Sequence, residues 1–451
     1  MIEKNIEWYG TLPKNWSTPK MSYVCNTITD YTASGSFASL AENVIYRDTE
    51  DYAMLVRTAD LSKKRDINPV FIDEKAYNFL NNSNLFGGEL IMSNVGSVGD
   101  VYLYEPLYQK ASLAPNAIMV RANGYEKFLF YLFSTKQAVE GLLSITNTTT
   151  QPKFNKTQLR SFRVPFPDQL TMEKIVKHLD KKTKQIEDIK NKISEEIENL
   201  ENYKKSVITE AVTKGLDKNV EMKDSGIEWI GEIPKHWKVN RLKFLVIDRQ
   251  AGIWGKEVES EGDDRNIICI RVADFDFPRM TIRKDRGFTV RNYSNIDIIK
   301  YYLDKGDILV EKSGGGEKSP VGRTIIWEEN FVAVYANFIE RIRMDQNKIC
   351  PMYAQYVFYA FYNMGISNLF FNQTTGIQNL DLSKMIRTLR FPVPSLNDQL
   401  NIINYLNKVI KILDETIEAK QKQLEVLEEY MKSLIYEYVT GKKEVNNGEE
   451  S

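Results

Sequence analysis

The side chains that could perform chemistry in this chain fall short of the catalytic patterns they resemble. Asn68-Pro69-Val70-Phe71 is the nearest string to the Asn/Asp-Pro-Pro-aromatic loop of DNA methyltransferases, but it lacks the second proline. Gly314-Gly315-Gly316-Glu317-Lys318-Ser319 resembles a phosphate-binding GxxxxGK[ST] loop, yet Glu317 stands where glycine is needed and would oppose phosphate. The simpler interpretations are a turn before a strand for the first string and a mobile loop for the second.

Histidine and cysteine usage argues against a metal site or a nucleophilic triad. The two histidines, His178 and His236, are too few for a His-rich metal site, and Cys25, Cys269 and Cys350 form no CxxC pair. Neither histidine lies where a general base is expected. We therefore expect no catalytic residue and no metal in this chain, and we interpret it as a binding subunit.

Basic and polar side chains that could contact nucleic acid occur in short clusters. Arginine and lysine neutralise phosphate, and arginine can also read guanine through a bidentate contact. A solvated face is the alternative interpretation of each cluster. The candidates for DNA contact are Lys63, Lys64, Arg65, Ser93, Asn94, Ser97, Arg279, Arg283, Lys284, Arg286, Arg291, Lys312, Lys318 and Arg323.

These candidates lie on a chain that repeats itself. The string Ile6–Trp16 returns at Ile227–Trp237 with seven of eleven residues identical, and the two copies hold four of the six tryptophans. We call these two segments the tryptophan strings. Downstream, Pro165–Thr213 aligns without gaps on Pro392–Thr440 with sixteen of forty-nine positions identical. Because both echoes run in the same order, the chain is a two-fold tandem repeat, which favours a target with two halves.

The downstream echo predicts two long helices. Each follows a Pro-x-Pro stop and carries apolar residues at heptad spacing, so the two helices are expected to pack on each other as a coiled coil. Thr183, Lys190, Lys204 and Lys420 interrupt the apolar pattern. The predicted seam comprises Leu179, Ile186, Ile193, Leu200, Val207, Ile403, Leu406, Ile410, Leu413, Ile417, Leu424, Leu427, Met431 and Leu434.

The segments before the helices mix short β-branched strands with helical stretches, which indicates an α+β fold class. Two such domains in tandem, each followed by its long helix, predict an architecture with pseudo-two-fold symmetry. The expected divisions are a domain at 1–164, a helix at 165–215, a linker at 216–226, a domain at 227–391, a helix at 392–441 and a disordered tail at 442–451.

Composition limits the remaining classes. The chain has 451 residues and a formal net charge of −1, so a DNA-facing surface must be a local patch and not a basic domain. No apolar run is long enough to span a membrane, and the first residues lack a signal peptide pattern. We therefore expect a cytoplasmic protein with no membrane partner.

The strings Ser225–Trp237 and Phe391–Pro394, together with the tandem order of domain and helix, closely resemble the specificity subunit of type I restriction-modification systems. The resemblance implies a non-catalytic subunit in which each domain, a target recognition domain, reads one half of a bipartite site in double-stranded DNA. It further implies that the two helices pack antiparallel as a coiled coil, set the spacing and dock two methylation subunits, which restriction subunits can join.

The same resemblance places the cofactors on other chains. S-adenosylmethionine would serve adenine methylation, and ATP and Mg²⁺ would serve the endonuclease, all on partner subunits. Two alternatives stay open at this point, a self-sufficient nuclease or methyltransferase with unfamiliar motifs and a coiled-coil scaffold without a DNA role. The bases recognised and the exact register of the helices do not follow from the sequence.

Overall fold

The computed structural model describes residues 5, 6, 8–62, 68–146, 151–258, 262–316, 319–374 and 377–445. The chain divides into two compact units. The first unit holds Met1–Lys192 with Gln423–Ser451, and the second holds Ile193–Lys422. Each unit therefore contains one α+β domain, the first part of the helix that follows it, and the last part of the other long helix.

Helices form where apolar residues recur at helical spacing, and two of the helices are far longer than the rest. The long ones, α8 and α12, follow the Pro-x-Pro strings as predicted. In chain order the helices are α1 (Met21–Val24), α2 (Phe37–Asn43), α3 (Thr58–Leu61), α4 (Glu74–Phe79), α5 (Glu126–Phe133), α6 (Lys136–Ser144), α7 (Lys156–Ser161), α8 (Gln169–Lys214), α9 (Asn295–Tyr301), α10 (Pro351–Asn363), α11 (Leu382–Thr388) and α12 (Leu396–Val439).

The first unit contains two four-stranded sheets. One is antiparallel with order β3-β10-β7-β8, and the other has order β5-β4-β9-β6 with β4 parallel to β9. Its strands are β1 (Asn5–Ile6), β2 (Gly10–Thr11), β3 (Thr27–Asp30), β4 (Ala53–Val56), β5 (Phe71–Ile72), β6 (Asn84–Leu85), β7 (Leu90–Ser93), β8 (Val101–Leu103), β9 (Ala111–Leu113) and β10 (Ala117–Arg121).

The strands of the second unit are β11 (Met222–Asp224), β12 (Glu232–Pro234), β13 (Lys238–Arg241), β14 (Val246–Ala251), β15 (Asn266–Ile270), β16 (Phe275–Asp276), β17 (Thr281–Ile282), β18 (Thr289–Asn292), β19 (Ile308–Glu311), β20 (Ser313–Gly315), β21 (Thr324–Ile326), β22 (Ala333–Tyr335), β23 (Ile339–Met344), β24 (Phe371–Thr374), β25 (Ile377–Leu380) and β26 (Arg390–Val393).

The second unit repeats the topology of the first. Its antiparallel sheet has order β14-β23-β19-β21, and its sheet β18-β15-β22 again contains one parallel pair, β15 with β22. These orders match β3-β10-β7-β8 and β5-β4-β9 strand for strand. The predicted fold class is therefore confirmed, namely two tandem α+β domains on a shared frame.

The tryptophan strings hold the ends of the long helices. In the first unit, Trp16 is 3 % exposed and packs at Gly441, just beyond α12, while the Tyr9 hydroxyl donates to the Val439 carbonyl at 2.5 Å. In the second unit, Trp237 is 2 % exposed and packs at Gly215, just beyond α8. Each glycine has a positive φ, as a helix-ending residue does. The repeated strings are thus structural, which agrees with their occurrence in both copies.

The two long helices pair antiparallel inside each unit. In the first unit the ring of His178 lies 4.5 Å from that of Tyr438, and Lys190 Nζ lies 2.7 Å from Glu428 Oε2. In the second unit, Lys204 Nζ lies 2.6 Å from Asp414 Oδ1. Residues of increasing number along α8 therefore contact residues of decreasing number along α12, as antiparallel pairing requires. All of the predicted seam residues are buried or half-buried.

The helix-ending glycines allow a test of this packing. An added Cβ at Gly441 would lie 2.4 Å from Pro13 Cγ and 3.0 Å from the Trp16 ring, at a φ of +64°. We expect Gly441→Ala to destabilise the chain by about 2–4 kcal/mol, from left-handed strain together with overpacking. The midpoint of chemical denaturation measures this loss.

The matched control for that substitution is Gly10→Ala. Gly10 has a φ of +80°, but an added Cβ would have no atom within 4 Å. It should cost only the backbone strain, about 1–2 kcal/mol. Equal losses for the two variants would show that the tryptophan string does not hold the end of α12.

Candidate nucleic-acid interface

Two Arg-x-Ala-Asp strings, Arg57–Asp60 and Arg271–Asp274, form the same hydrogen-bonded turn in both units, which we call the Arg–Asp turn. In the first, the Asp60 carboxylate accepts from the Arg57 backbone N–H at 2.8 Å and from its guanidinium at 2.7 and 3.0 Å. In the second, Asp274 accepts from the Arg271 backbone at 2.8 Å and from its guanidinium at 3.2 and 3.3 Å. Both turns follow a strand of the parallel pair. They fix the start of the segment that carries the main basic cluster of each unit.

The basic segment of the second unit is spread around β16 to β18. Arg279 is paired with Asp276 at 3.2 Å, Arg286 approaches the buried Asp274 at 3.5 Å, and Lys284 is paired with Glu329 at 2.9 Å. The Arg283 side chain donates to the Phe275 carbonyl at 3.1 Å. The cluster is thus a surface of separate, largely exposed cations.

Arg291 is the member of this cluster with the most defined orientation. Its guanidinium lies 4.4 Å from the ring centroid of Trp254, which is 43 % exposed. Its carboxylate partner, Glu257, is 3.4 Å away and almost fully solvent-exposed, so that ion pair is weak. Arg291 Nε is buried without a hydrogen-bond partner. A guanidinium held over an aromatic ring is preorganised for a planar acceptor such as a guanine edge.

Arg323 and Lys312 face carboxylates of their own sheet. Arg323 forms a bidentate pair with Glu311, with both distances 2.8 Å, and Glu311 is 1 % exposed. These hydrogen bonds to Glu311 raise the pKa of Arg323 above its ordinary value. Lys312 lies 3.9 Å from Glu340. Arg323 therefore compensates a buried charge, a role that its sequence position did not indicate.

The expectation of a mobile loop around Gly314 is wrong for the residues that the structure describes there. Ser313–Gly315 form β20, which pairs with β25. The reason is local, because a Cβ at Gly315 would lie 2.6 Å from the backbone nitrogen of Val321, so glycine lets two chain segments pass closely. Lys318 lies outside the described residues.

The polar candidates of the first unit are mostly buried. Ser93 is 2 % exposed, and Asn94, 6 % exposed, donates from Nδ2 to the Phe154 carbonyl at 2.9 Å. Ser97 is exposed, on the turn between Gly96 and Gly99. In this structure only Ser97 of the three presents its side chain to solvent. Lys63, Lys64 and Arg65 lie outside the described residues.

A groove of the first unit combines aromatic and basic side chains that the sequence reading missed. Its volume is about 730 Å³, and exposed Phe37 and Tyr46 line it together with Lys153 and Lys156. Lys156 is paired with Asp30 at 2.8 Å. Aromatic rings beside lysines suit bases and phosphates respectively. The string Lys153-Phe154-Asn155-Lys156 is the signal that could have pointed to it.

Among the residues that the structure describes, no group of three or more His, Cys, Asp and Glu side chains could hold a metal ion. Within the same ranges, no helix is long and apolar enough to cross a membrane.

Comparison with known proteins places this architecture in a family. The model of the type I restriction modification DNA specificity domain matches residues 13–199 and 279–426, which together make up most of the chain. This chain belongs to the type I restriction-modification specificity family. The two matched stretches fall one in each half of the repeat and include parts of both long helices.

Individual relatives of this family are distant in sequence. The MjaVIII specificity subunit of Methanocaldococcus jannaschii is 26 % identical over 71 % of this chain and 71 % of its own length. The StySPI specificity subunit of Salmonella potsdam is 22 % identical over 91 % and 85 %. A solved structure from work on the assembly and conformational transition of a type I restriction-modification system aligns with a TM-score of 0.68 at 14 % identity, over 96 % of this chain and all of the other. That likeness supports the fold.

The buried pair of the second unit predicts a large stability effect. Arg323→Ala would leave the Glu311 carboxylate buried and unpaired, which typically costs about 3–5 kcal/mol. We expect the free energy of unfolding from urea titration to fall by about 3 kcal/mol, given that Arg323 is partly exposed. The double variant R323L/E311L, which removes both charges, should recover most of that loss. If the single variant unfolds like the wild type, the pair has no structural role.

Arg291 and Lys284 predict two different DNA-binding phenotypes within the family's function. Arg291→Lys keeps the charge but loses the planar guanidinium with its paired donors, so discrimination between bases at one position should fall by about 1–3 kcal/mol. Lys284→Ala should weaken binding to all sequences about equally, as loss of a phosphate contact does. Competition binding of the assembled complex to substituted half-sites measures both. Unchanged discrimination in Arg291→Lys would remove Arg291 from base reading.

Proposed function

We propose that this chain is the DNA-reading subunit of a type I restriction-modification complex, in which each α+β domain reads one half of a bipartite site. The observation that carries the proposal is that the two units share the same framework of strands and turns but differ in their basic side chains. The two units have matching strand orders and the same Arg–Asp turns, whereas the side chains that follow those turns differ. Two related readers of two different sequences require such a combination.

The chemistry is proposed to lie on other chains. Two methylation subunits would dock on the helices, bind S-adenosylmethionine and modify adenine in each half-site. Restriction subunits would add ATP- and Mg²⁺-dependent cleavage. The support within this chain is that the strings most similar to catalytic motifs lack a required residue. In the glycine-rich string, for example, Glu317 stands where glycine is required. A cytoplasmic location follows from a target and partners that are found there.

Reconstitution tests the proposal directly. The chain, purified methylation subunits and S-adenosylmethionine are incubated with genomic DNA, and methylated adenines are mapped by sequencing. We expect methylation at one bipartite site, and only when this chain is present. The chain alone with DNA, Mg²⁺ and S-adenosylmethionine should neither methylate nor cleave. Modification by the chain alone would support a self-sufficient enzyme, and a complex without sequence preference would support a scaffold.

Exchange of one domain predicts a change in one half-site. Replacing residues 1–164 with the corresponding segment of a relative should alter the first half of the methylated sequence and leave the second half intact, because the second domain is unchanged. The same methylation map measures this outcome. The matched control is replacement of 227–391, which should alter only the other half. Changes in both halves after one exchange would contradict independent reading.

The helix pair predicts how the spacing can be changed. Seven residues inserted after Leu200 in α8, matched by seven after Thr416 in α12, lie between the Glu196–Lys420 and Lys204–Asp414 contacts and preserve both. The insertion lengthens the pair by about 10 Å at 1.5 Å per residue. We expect a longer unread spacer with both half-sites unchanged. Insertion in α8 alone should impair assembly, because it destroys the register.

A further inference from the structure

Three lysines interrupt the apolar seam of the long helices, and each meets a carboxylate on the other helix. Lys190 Nζ lies 2.7 Å from Glu428, Lys204 Nζ lies 2.6 Å from Asp414, and Lys420 pairs with Glu196. Lys204 is the most buried, with 4 % of its side chain exposed, and it also donates to the Pro278 carbonyl at 2.7 Å. That second contact ties α8 to the recognition domain of its own unit.

These lysines are not part of the repeated pattern. When the two helices are aligned by the repeat, Lys190, Lys204 and Lys420 correspond to apolar residues of the other helix, namely Ile417, Met431 and Ile193. The apolar seam is therefore shared by both copies, whereas each lysine belongs to one helix only. A role common to both halves, such as the frame itself, does not explain them.

The apolar seam alone cannot choose one register. It repeats every seven residues, so a slip of one heptad again places apolar residues against apolar residues. The charged pairs do not tolerate such a slip. Lys204 would face Asn407 or Gln421 in place of Asp414. An ammonium group that is buried without a carboxylate is strongly unfavourable.

The other two lysines would also lose their carboxylate on the other helix, although Lys190 would keep Glu187 of its own helix, 3.2 Å away. After a slip of one heptad in either direction, Lys190 would face Gln421 or Ile435, and Lys420 would face Ile189 or Tyr203. None of these residues carries a carboxylate. The spacings of the pairs also agree. The number of residues from Lys190 to Lys204 on α8 equals the number of residues from Asp414 to Glu428 on α12. The separate charged pairs therefore specify one and the same register.

We propose that Lys190, Lys204 and Lys420 are positioning residues that, together with the tryptophan strings at the helix ends, lock the helix register and thereby help to determine which spacer length the complex accepts. The proposal rests on the proposed function. Single polar residues in a coiled-coil seam are known to specify register at some cost in stability. One heptad corresponds to about 10 Å along a helix, or about three base pairs at 3.4 Å each.

The test uses the complex with methylation subunits and a DNA library that holds both half-sites fixed. The spacer varies from three base pairs shorter to three longer than the optimum, and methylated adenine is read by sequencing. The variant K204M/D414L replaces the buried pair with apolar residues of similar size, a change that folded proteins tolerate. We expect the preference for the optimal spacer to fall at least tenfold, with unchanged half-site sequences.

Two further variants make the result decisive. K190M/E428L removes a pair that is only partly buried and should broaden the spacer preference in the same way, even if K204M/D414L does not fold. K411M/E415L removes an exposed pair within one helix and should leave the preference unchanged. Variants that fold and keep the wild-type spacer preference overturn the lock. A wild-type complex without any sequence preference would instead overturn the proposed function.

Discussion

Both units of the structure depend on burial of the long helices' apolar stripe. A helix of 44 or 46 residues with a continuous stripe exposes too much apolar surface to be stable alone in water. The two helices are antiparallel, and α12 covers the apolar stripe of α8 while α8 covers the apolar stripe of α12. Because each helix continues from one unit into the other, each unit holds the first part of its own helix and the last part of the partner helix. Because each unit includes the last part of the other unit's helix, an exchange of helix ends, the tandem repeat in the sequence gives two equivalent units.

The tryptophan strings make this exchange possible. Trp16 meets the end of α12, although the two are at opposite ends of the chain, and Trp237 meets the end of α8, which precedes it closely. The same packing is therefore made once between distant segments and once between neighbouring ones. A string that occurs in both copies in this way belongs to the frame. The parts that differ, above all the cations after the Arg–Asp turns, are those that we propose for recognition.

The charged side chains of this molecule are of two kinds, those that form ion pairs within the framework and those that are held at the surface. Arg323 with Glu311 and Lys204 with Asp414 are charges whose partners are buried or half-buried, so loss of one partner leaves an uncompensated ion. Arg291, Arg283 and Ser97 are held differently, with weak or backbone partners and access to solvent. Because the net charge is near zero, the cations that we propose for DNA binding form a local surface and not a basic domain.

The repeat, the α+β class, the two long helices and the lack of a complete catalytic motif could all be predicted from the sequence, because these depend on local spacing and residue type. The sequence identified Arg323 and Arg291 as equivalent candidates, and only the tertiary structure separated them. Glu311 and Trp254 approach these arginines through sheet pairing that no local pattern encodes. The register was undetermined for a similar reason. A heptad pattern is unchanged by a shift of seven residues, whereas the distance from Lys204 to Asp414 is not.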